Sequence, residues 1–441
     1  MEENKTKEKK GKHTSPQRKK IKVNGFPGGI IVPEPPHRRL NFNQTFTALK
    51  YPNYRLWFYG QMASLIGTWM QTTAQGFLIF ELTKSPAYLG LIGFAAGAPF
   101  WIFNFIGGVI TDRMPRRTIL LITQTIMMLL AFILGFLAKV VQPWHIILMA
   151  FGTGIANAFD APARLAFVPE LVEREDLPNA IALNATFVNL AVVIGPAVAG
   201  LLYAWVGAGW CFIINGISFL AVIAALLIMQ LKPFIAHVQE GSIITQLRQG
   251  VSYVIHHRLI VALMILVVIA SVFGNGFMAL LPAWAVNILK GDAATNGWLQ
   301  SARGLGALLA ALLIASLGRI KYKGKLLTIG SLIFPAAVIL WGFIDSIPLS
   351  LLVLAIIGWG SILMINIANA LIQLNVPDHL RGRVMGIYSF AFFGMAPIGA
   401  LLAGVLAQWA NEQAAVIIGG GISLLVAVGM YLWLPKLRAM E

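Results

Sequence analysis

WCFIINGISFLAVIAALLIMQL, Trp210 to Leu231, runs for 22 residues without a charged side chain. A helix rises about 1.5 Å per residue, so such a run crosses the roughly 30 Å hydrocarbon layer of a bilayer. Its apolar residues are consecutive rather than alternating. That excludes a barrel strand, the other structure that satisfies its own backbone in lipid. Outward from this segment, apolar run length and Gly/Pro breakers place five more spans before it: Trp57–Phe80, Ala87–Ile110, Thr118–Leu137, Trp144–Phe159 and Ala180–Val206. Six follow: Leu259–Ile288, Gly297–Leu317, Leu326–Phe343, Leu349–Leu374, Val384–Trp409 and Ala414–Leu434. The expectation is an all-α membrane protein with twelve transmembrane helices. Composition agrees: 58% of residues are hydrophobic and 11% charged, against roughly 25% charged in a soluble domain.

The net charge of +16 is first a statement about topology. One set of loops carries Arg113, Arg116, Arg117; Arg164, Arg174; Lys232, Arg248, Arg258; Arg319, Lys321, Lys323, Lys325; Arg381, Arg383; and Lys436, Arg438. The alternate set carries only Lys84, Lys139 and Lys290. By the positive-inside rule the basic set is cytoplasmic, together with both termini, in the plasma (inner) membrane. Residues 1–50 read as a disordered basic tail attracted to anionic lipid heads, too long and too charged for a signal peptide. Nucleic acid is not the expected partner.

The chain divides into an N-terminal bundle (51–231), a cytoplasmic linker (232–258), a C-terminal bundle (259–434) and a short tail (435–441). In the linker, Leu247, Val251, Val254 and Arg258 follow helical spacing, as an interfacial helix would. The halves match in one register: an offset of 208 maps Arg113 onto Lys321, Arg117 onto Lys325, and Val168-Pro169 onto Val376-Pro377. Two pseudo-symmetric six-helix bundles with a substrate between them are a transporter architecture.

Several motifs sharpen this. Asn53-Tyr54-Arg55-Leu56, Gly60-Gln61 and Gly67-x-Trp69-Met70-Gln71 open the chain's apolar part, and Gly107-Gly108-Val109-Ile110-Thr111-Asp112-Arg113-Met114-Pro115-Arg116-Arg117 follows the second span. Asp160-Ala161-Pro162-Ala163-Arg164 with Val168-Pro169-Glu170-Leu171, and Val376-Pro377-Asp378 with Arg381-Gly382-Arg383-Val384-Met385-Gly386, follow the fourth and tenth. Together these resemble the major facilitator superfamily, in particular its enterobactin-exporter-like group. The resemblance implies the major facilitator fold and alternating access. It also implies a cytoplasmic latch drawn from Gly108, Asp112, Arg113, Arg116 and Arg117 of the signature loop. Gly195-Pro196-Ala197-Val198-Ala199-Gly200 resembles part of an antiporter motif, but the fourth span has Leu148 and Ala150 where many drug/proton antiporters carry an arginine.

Polar side chains inside lipid face a cavity or another helix. In this fold spans one, four, seven and ten would line the cavity. They hold Gln61, Gln71, Gln75, Asn157, Asn275, Asn287, Asn366, Asn369 and Gln373, whereas spans three, six, nine and twelve hold only Gln124, Asn215 and Gln230. Gln61, Ser64, Thr68, Gln71 and Gln75 share one helical face, as do Thr153, Asn157, Asp160 and Arg164, and Asn366, Asn369 and Gln373. These stripes are either cavity lining or interhelical hydrogen bonding. Arg303, near the outer start of the eighth span, either snorkels outward or meets a substrate anion. Asp160 either joins the latch, paired with Arg116 or Arg164, or titrates as a proton carrier. Glycines on spans two, five, eight and eleven (Gly90, Gly93, Gly97; Gly195, Gly200; Gly304, Gly306; Gly386, Gly394, Gly399) fit close helix interfaces that move.

Other classes fit worse. Gly318–Leu326 is the nearest phosphate-loop lookalike, with the wrong spacing and Leu326 where Ser or Thr is required, so ATP is not expected. The single cysteine, Cys211, and the adjacent His256-His257 give no metal site, and no nucleophile–base pair marks an enzyme; no cofactor is expected. The reading is secondary export of a small siderophore-like or drug-like compound, with a proton as the coupling ion. The alternatives are uptake symport of a sugar or organic acid, or a non-transporting sensor on the same fold.

Overall fold

The structure, a computed structural model, describes residues 46–231, 243–316 and 322–433. The expectations placed on residues 1–45, Lys232, Leu317, Arg319, Lys321 and the C-terminal tail lie outside the described residues. Those described are helical, with no strand among them. The N-terminal spans are Pro52–Thr83, the broken pair Pro86–Gly97 and Pro99–Arg113, Arg116–Leu137, Pro143–Leu171, Leu177–Val206 and Ala208–Ile228. Ile243–His256 forms a linker helix. The C-terminal spans are Arg258–Ile288, Ala293–Ser316, Lys323–Trp341, Ile347–Asn375, Asp378–Trp409 and Glu412–Trp433.

Eleven of these helices are long and apolar enough to cross a membrane. The first, at 32 residues, has the length but not the apolarity, because Gln61, Thr68, Gln71, Thr72, Thr73 and Gln75 all lie on it. Proline starts many of the helices: Pro52, Pro86, Pro99 and Pro143 occupy first-turn positions, where a missing N–H costs nothing. Gly207, with φ of 85°, joins the fifth and sixth spans through a left-handed residue that a side chain would strain.

Each bundle has its own core. In the C-terminal half Trp284 stacks on Trp341 with ring centroids 4.0 Å apart, both fully buried. In the N-terminal half the edge of Trp57 meets Phe167 at 5.1 Å. Two C-terminal spans are irregular. The seventh carries a π turn at Ala270–Gly274, a 3₁₀ turn at Gly276–Leu280 and a second π turn at Trp284–Ile288, around Pro282. The eleventh carries one at Phe390–Gly394, three residues before Pro397. Wide turns of this kind re-aim side chains inside a helix and cluster at functional sites.

Several boundaries differ from the sequence reading, three of them at residues singled out there. The fourth span runs to Leu171 rather than Phe159, with Pro162 and Pro169 inside it, so Asp160 and Arg164 are helical residues and Arg164 is not in a loop. The eighth span begins at Ala293 rather than Gly297. Thr47–Lys50, assigned above to the tail, form a 3₁₀ turn. There the Ala48 N–H donates to Asn179 Oδ1 at 2.9 Å, and Lys50 pairs with Asp176 at 2.7 Å.

Candidate functional site

The bundles meet along a seam that is shut at one end. Between the second and eleventh spans, a Cβ added to Gly90 would lie 2.7 Å from Ala400 O and one on Gly93 would lie 2.8 Å from Ala400 Cβ; Pro397 fills the space beside Gly97. Trp101 Nε1 donates to Gly394 O at 2.6 Å and Ser85 Oγ to Gln408 Oε1 at 2.6 Å. Between the fifth and eighth spans, a Cβ added to Gly200 would lie 2.7 Å from Ala293 O and one on Gly304 3.0 Å from Val192 O, while Ser301 Oγ donates to Val193 O at 2.7 Å. Thr73 Oγ1 donates to Gln300 Oε1 at 3.2 Å, tying the first span to the eighth. Small residues let backbones touch, so this end is closed by packing and a few hydrogen bonds.

Toward the basic end these contacts stop among the described residues. Gly108, Gly382 and Gly386 have nothing within 4 Å of a Cβ position. Ile106 and Phe393 are exposed, as are Asn157, Asn366 and Gln373. Asn369 is half-buried and accepts from Gln373 Nε2 at 2.5 Å. The fourth and tenth spans thus leave amide groups unburied far inside their helices. Asn275, at the irregular stretch of the seventh span, is half-buried and donates to Ala270 O at 3.2 Å. Asn287 lies at the closed end and donates to Glu412 Oε1 at 2.6 Å.

The stripe on the first span is instead held within the N-terminal bundle. Gln71 Oε1 accepts from Asn215 Nδ2 of the sixth span at 2.7 Å, and Gln75 donates to Ile146 O of the fourth at 3.2 Å. Thr68 bonds its own helix at Ser64 O, and Ser64 is buried. Gln61 is fully buried with neither amide atom paired. Periodicity placed these residues on one face; it did not say which neighbour that face meets.

Arg303 lies ten positions into the eighth span. At about 1.5 Å per residue its Cα sits roughly 15 Å from the helix start, close to the middle of the hydrocarbon. It makes no hydrogen bond or ion pair with the described residues. The helix starts four residues earlier than the sequence reading placed it, so Arg303 lies deeper in the span than that reading had it.

Asp160 is the hub of a polar network. Its Oδ1 accepts from Thr123 Oγ1 and Gln124 Nε2, both at 2.8 Å, and its Oδ2 pairs with Arg164 one turn on. Arg116 pairs with Glu170 at 2.5 Å instead, so of the two arginines considered for Asp160 only Arg164 is used. Arg117 donates to Leu227 O at 2.8 Å and Met229 O at 3.3 Å, covering carbonyls that the end of the sixth span leaves open. Asp112 is half-buried, Arg113 is exposed, and neither is paired among the described residues. These pairings of Arg116 with Glu170 and of Arg117 with the sixth span lie within the N-terminal bundle.

Residues 43–441 match the family described as transmembrane secretion effector. The chain belongs to that family. Relatives of these transmembrane secretion effectors include the multidrug efflux pump Tap of Mycolicibacterium fortuitum, 24% identical over 85% of this chain and 94% of that protein. They also include the enterobactin exporter EntS of Escherichia coli O1:K1 / APEC, 26% identical over 88% of this chain and 93% of that one. Among solved structures, a POT family transporter in complex with 5-aminolevulinic acid superposes with a TM-score of 0.70 at 14% identity, over 88% of this chain and 96% of the other. That likeness concerns the fold. The chain is an integral membrane, secondary transporter of major facilitator type with a small-molecule substrate.

Some contacts were not anticipated. Asn215 had been counted among outward helices, Glu412 was unremarked, and the Tyr203 hydroxyl donates to Glu81 at the closed end. An intramembrane or span-end acid is the one signal that pointed to the last two.

Proposed function

We propose that this chain exports a small organic compound across the inner membrane by alternating access, with its basic end in the cytoplasm and a proton as coupling ion. The observation that supports this best is the seam, shut at the charge-poor end and open at the basic end. With the basic end cytoplasmic, this state loads substrate from inside the cell. Asn157, Asn366, Asn369 and Gln373 then present hydrogen-bonding groups to the substrate, and Arg303, a deep cation without a counter-charge among the described residues, favours one bearing a carboxylate or catecholate. Efflux pumps and siderophore exporters among the relatives support the same direction and substrate class.

Asp160 is the proton carrier in this scheme. Its carboxylate is held by Arg164, Thr123 and Gln124, so protonation would loosen the contact between the third and fourth spans. Closing the basic end would bring Asp112, Arg113 and the eleventh span together, a carboxylate there favoured by a helix N-terminus.

Everted vesicles carrying a pH-sensitive dye, challenged with siderophores, drugs and organic acids, test this. Addition of a transported compound should release protons from an acidified lumen, and Asp160→Asn should abolish that release. Accumulation without dye response in both proteins removes the proton. Arg303→Ala should lose anionic compounds selectively and keep neutral ones; equal transport of both removes the anion role. Impermeant maleimide labelling of Arg174→Cys from outside intact cells would reverse the assigned orientation.

A further inference from the structure

We infer that the notch between the linker helix and the start of the eleventh span is a binding site for the phosphate group of an anionic phospholipid. The cavity, about 780 Å3, is lined by Arg248, Ser252, Tyr253, His256, His379 and Arg383 among others, and no carboxylate lines it. The nearest acid in sequence, Asp378, is taken by Arg381 at 2.5 Å. Two permanent cations and imidazoles with no acid among them are a recognition surface for a phosphate.

The site is built rather than incidental. Tyr253 Oη donates to Asn375 O at 3.2 Å, fixing the linker helix against the end of the tenth span. Arg383 donates to Gln249, and a Cβ added to Gly250 would lie 3.2 Å from Arg383 Cβ, so the glycine permits this close packing. His256 Nδ1 lies 2.6 Å from Ser252 O and His257 Nδ1 2.8 Å from Tyr253 O. A carbonyl only accepts, so each Nδ1 carries a hydrogen and each Nε2 is left for an outside partner.

A lipid, rather than a free phosphate, follows from what borders the cavity. Val251 and Ile255, 42% and 63% exposed, are centred about 80° around the same helix from Arg248, Ser252 and His256. A cationic pocket with an uncovered apolar edge matches a headgroup and the top of its acyl chains. The same notch sits where the seventh and eleventh spans begin, so an occupied site would brace the C-terminal bundle at the open end of the seam.

Full-length protein, delipidated in detergent micelles, is titrated with dioleoylphosphatidylglycerol, dioleoylphosphatidylcholine or inorganic phosphate while thermal unfolding is followed. Phosphatidylglycerol should raise the unfolding midpoint saturably and the other two should not. Arg248→Gln together with Arg383→Gln should weaken that response about 30-fold, at the roughly fivefold per cation expected near a membrane surface. Arg248→Gln alone, which breaks no hydrogen bond among the described residues, should weaken it about fivefold and covers the case in which the double variant does not fold. Equal responses to both lipids, a wild-type response in the Arg248→Gln protein, or stabilisation by inorganic phosphate alone would each overturn the inference.

Discussion

Asn215, buried on the sixth span, donates its amide to Gln71 on the first at 2.7 Å, and the same asparagine crowds against Gly67 one turn away. The pair is a polar clasp inside the N-terminal bundle. Gln71→Leu leaves Asn215 Nδ2 buried without an acceptor, at a cost of about 1–3 kcal/mol. The expected result is a lowered unfolding midpoint with transport per folded molecule unchanged. Adding Asn215→Leu should recover part of the loss. A Gln71→Leu protein of normal stability but altered substrate preference would return this residue to the cavity wall.

A second clasp carries charge. Asp160 is fully buried, and Arg164 is the one cation paired with it among the described residues. Arg164→Ala leaves a buried carboxylate against two neutral donors, and losing one partner of a buried pair costs about 3–5 kcal/mol. The variant should accumulate poorly in the membrane, as measured by immunoblot of membrane fractions. Arg164→Gln with Asp160→Asn should accumulate better than Arg164→Ala, because the uncompensated charge is gone. Normal levels of Arg164→Ala would mean that water reaches Asp160.

How far these features could be read in advance differs by residue. The twelve spans follow from run length because lipid admits little else. The Gln61–Gln75 stripe was visible as a face, yet whether it met water or Asn215 depended on how the helix was rotated, which spacing leaves open. Likewise Arg116 and Arg164 were equal candidates for Asp160 until the fourth span was found to continue through Pro162, which puts Arg164 one turn beyond the acid. The π turns at Ala270–Gly274 and Phe390–Gly394 had no sequence signal beyond nearby prolines, since π turns are set by packing. A close interface at Gly90 followed from glycine content, but its partners Ala400 and Gly404 did not.

Outside the spans, Asp176 accepts from Lys50 at 2.7 Å and from the Tyr51 hydroxyl at 2.8 Å. The hydrogen bond from Lys50 is the main reason its carboxyl is held below the ordinary 3.8, and the same contact raises Lys50. A carboxyl depressed in the folded state stabilises it above the unfolded pKa, and that contribution disappears as pH falls through the folded value. Asp176→Asn should therefore lower the unfolding midpoint at pH 7, modestly because the pair is exposed. The difference from wild type should shrink as pH drops below about 4. A pH-independent difference would assign the effect to the Tyr51 hydrogen bond.

The closed end of the seam can be tested by locking it. Gly93 and Ala400 approach so closely that a Cβ added to Gly93 would lie 2.8 Å from Ala400 Cβ, and a disulfide asks for about 3.8 Å, so cysteines at both positions need only a slight spreading of the two spans. Cys211 is buried and is the chain's only cysteine, so a Cys211→Ala background removes competition. Oxidation of the Gly93→Cys/Ala400→Cys protein should join the bundles at this end. Transport should then fall to background, because the alternate opening needs the second and eleventh spans to part, and reductant should restore it. Gly90→Val should act in the opposite sense, since its side chain would strike Ala400 O and hold the end ajar, exposing the buried Thr73 position to maleimide once it is replaced by cysteine. Cross-linked protein that still transports at the reduced rate would mean that the two bundles do not separate here.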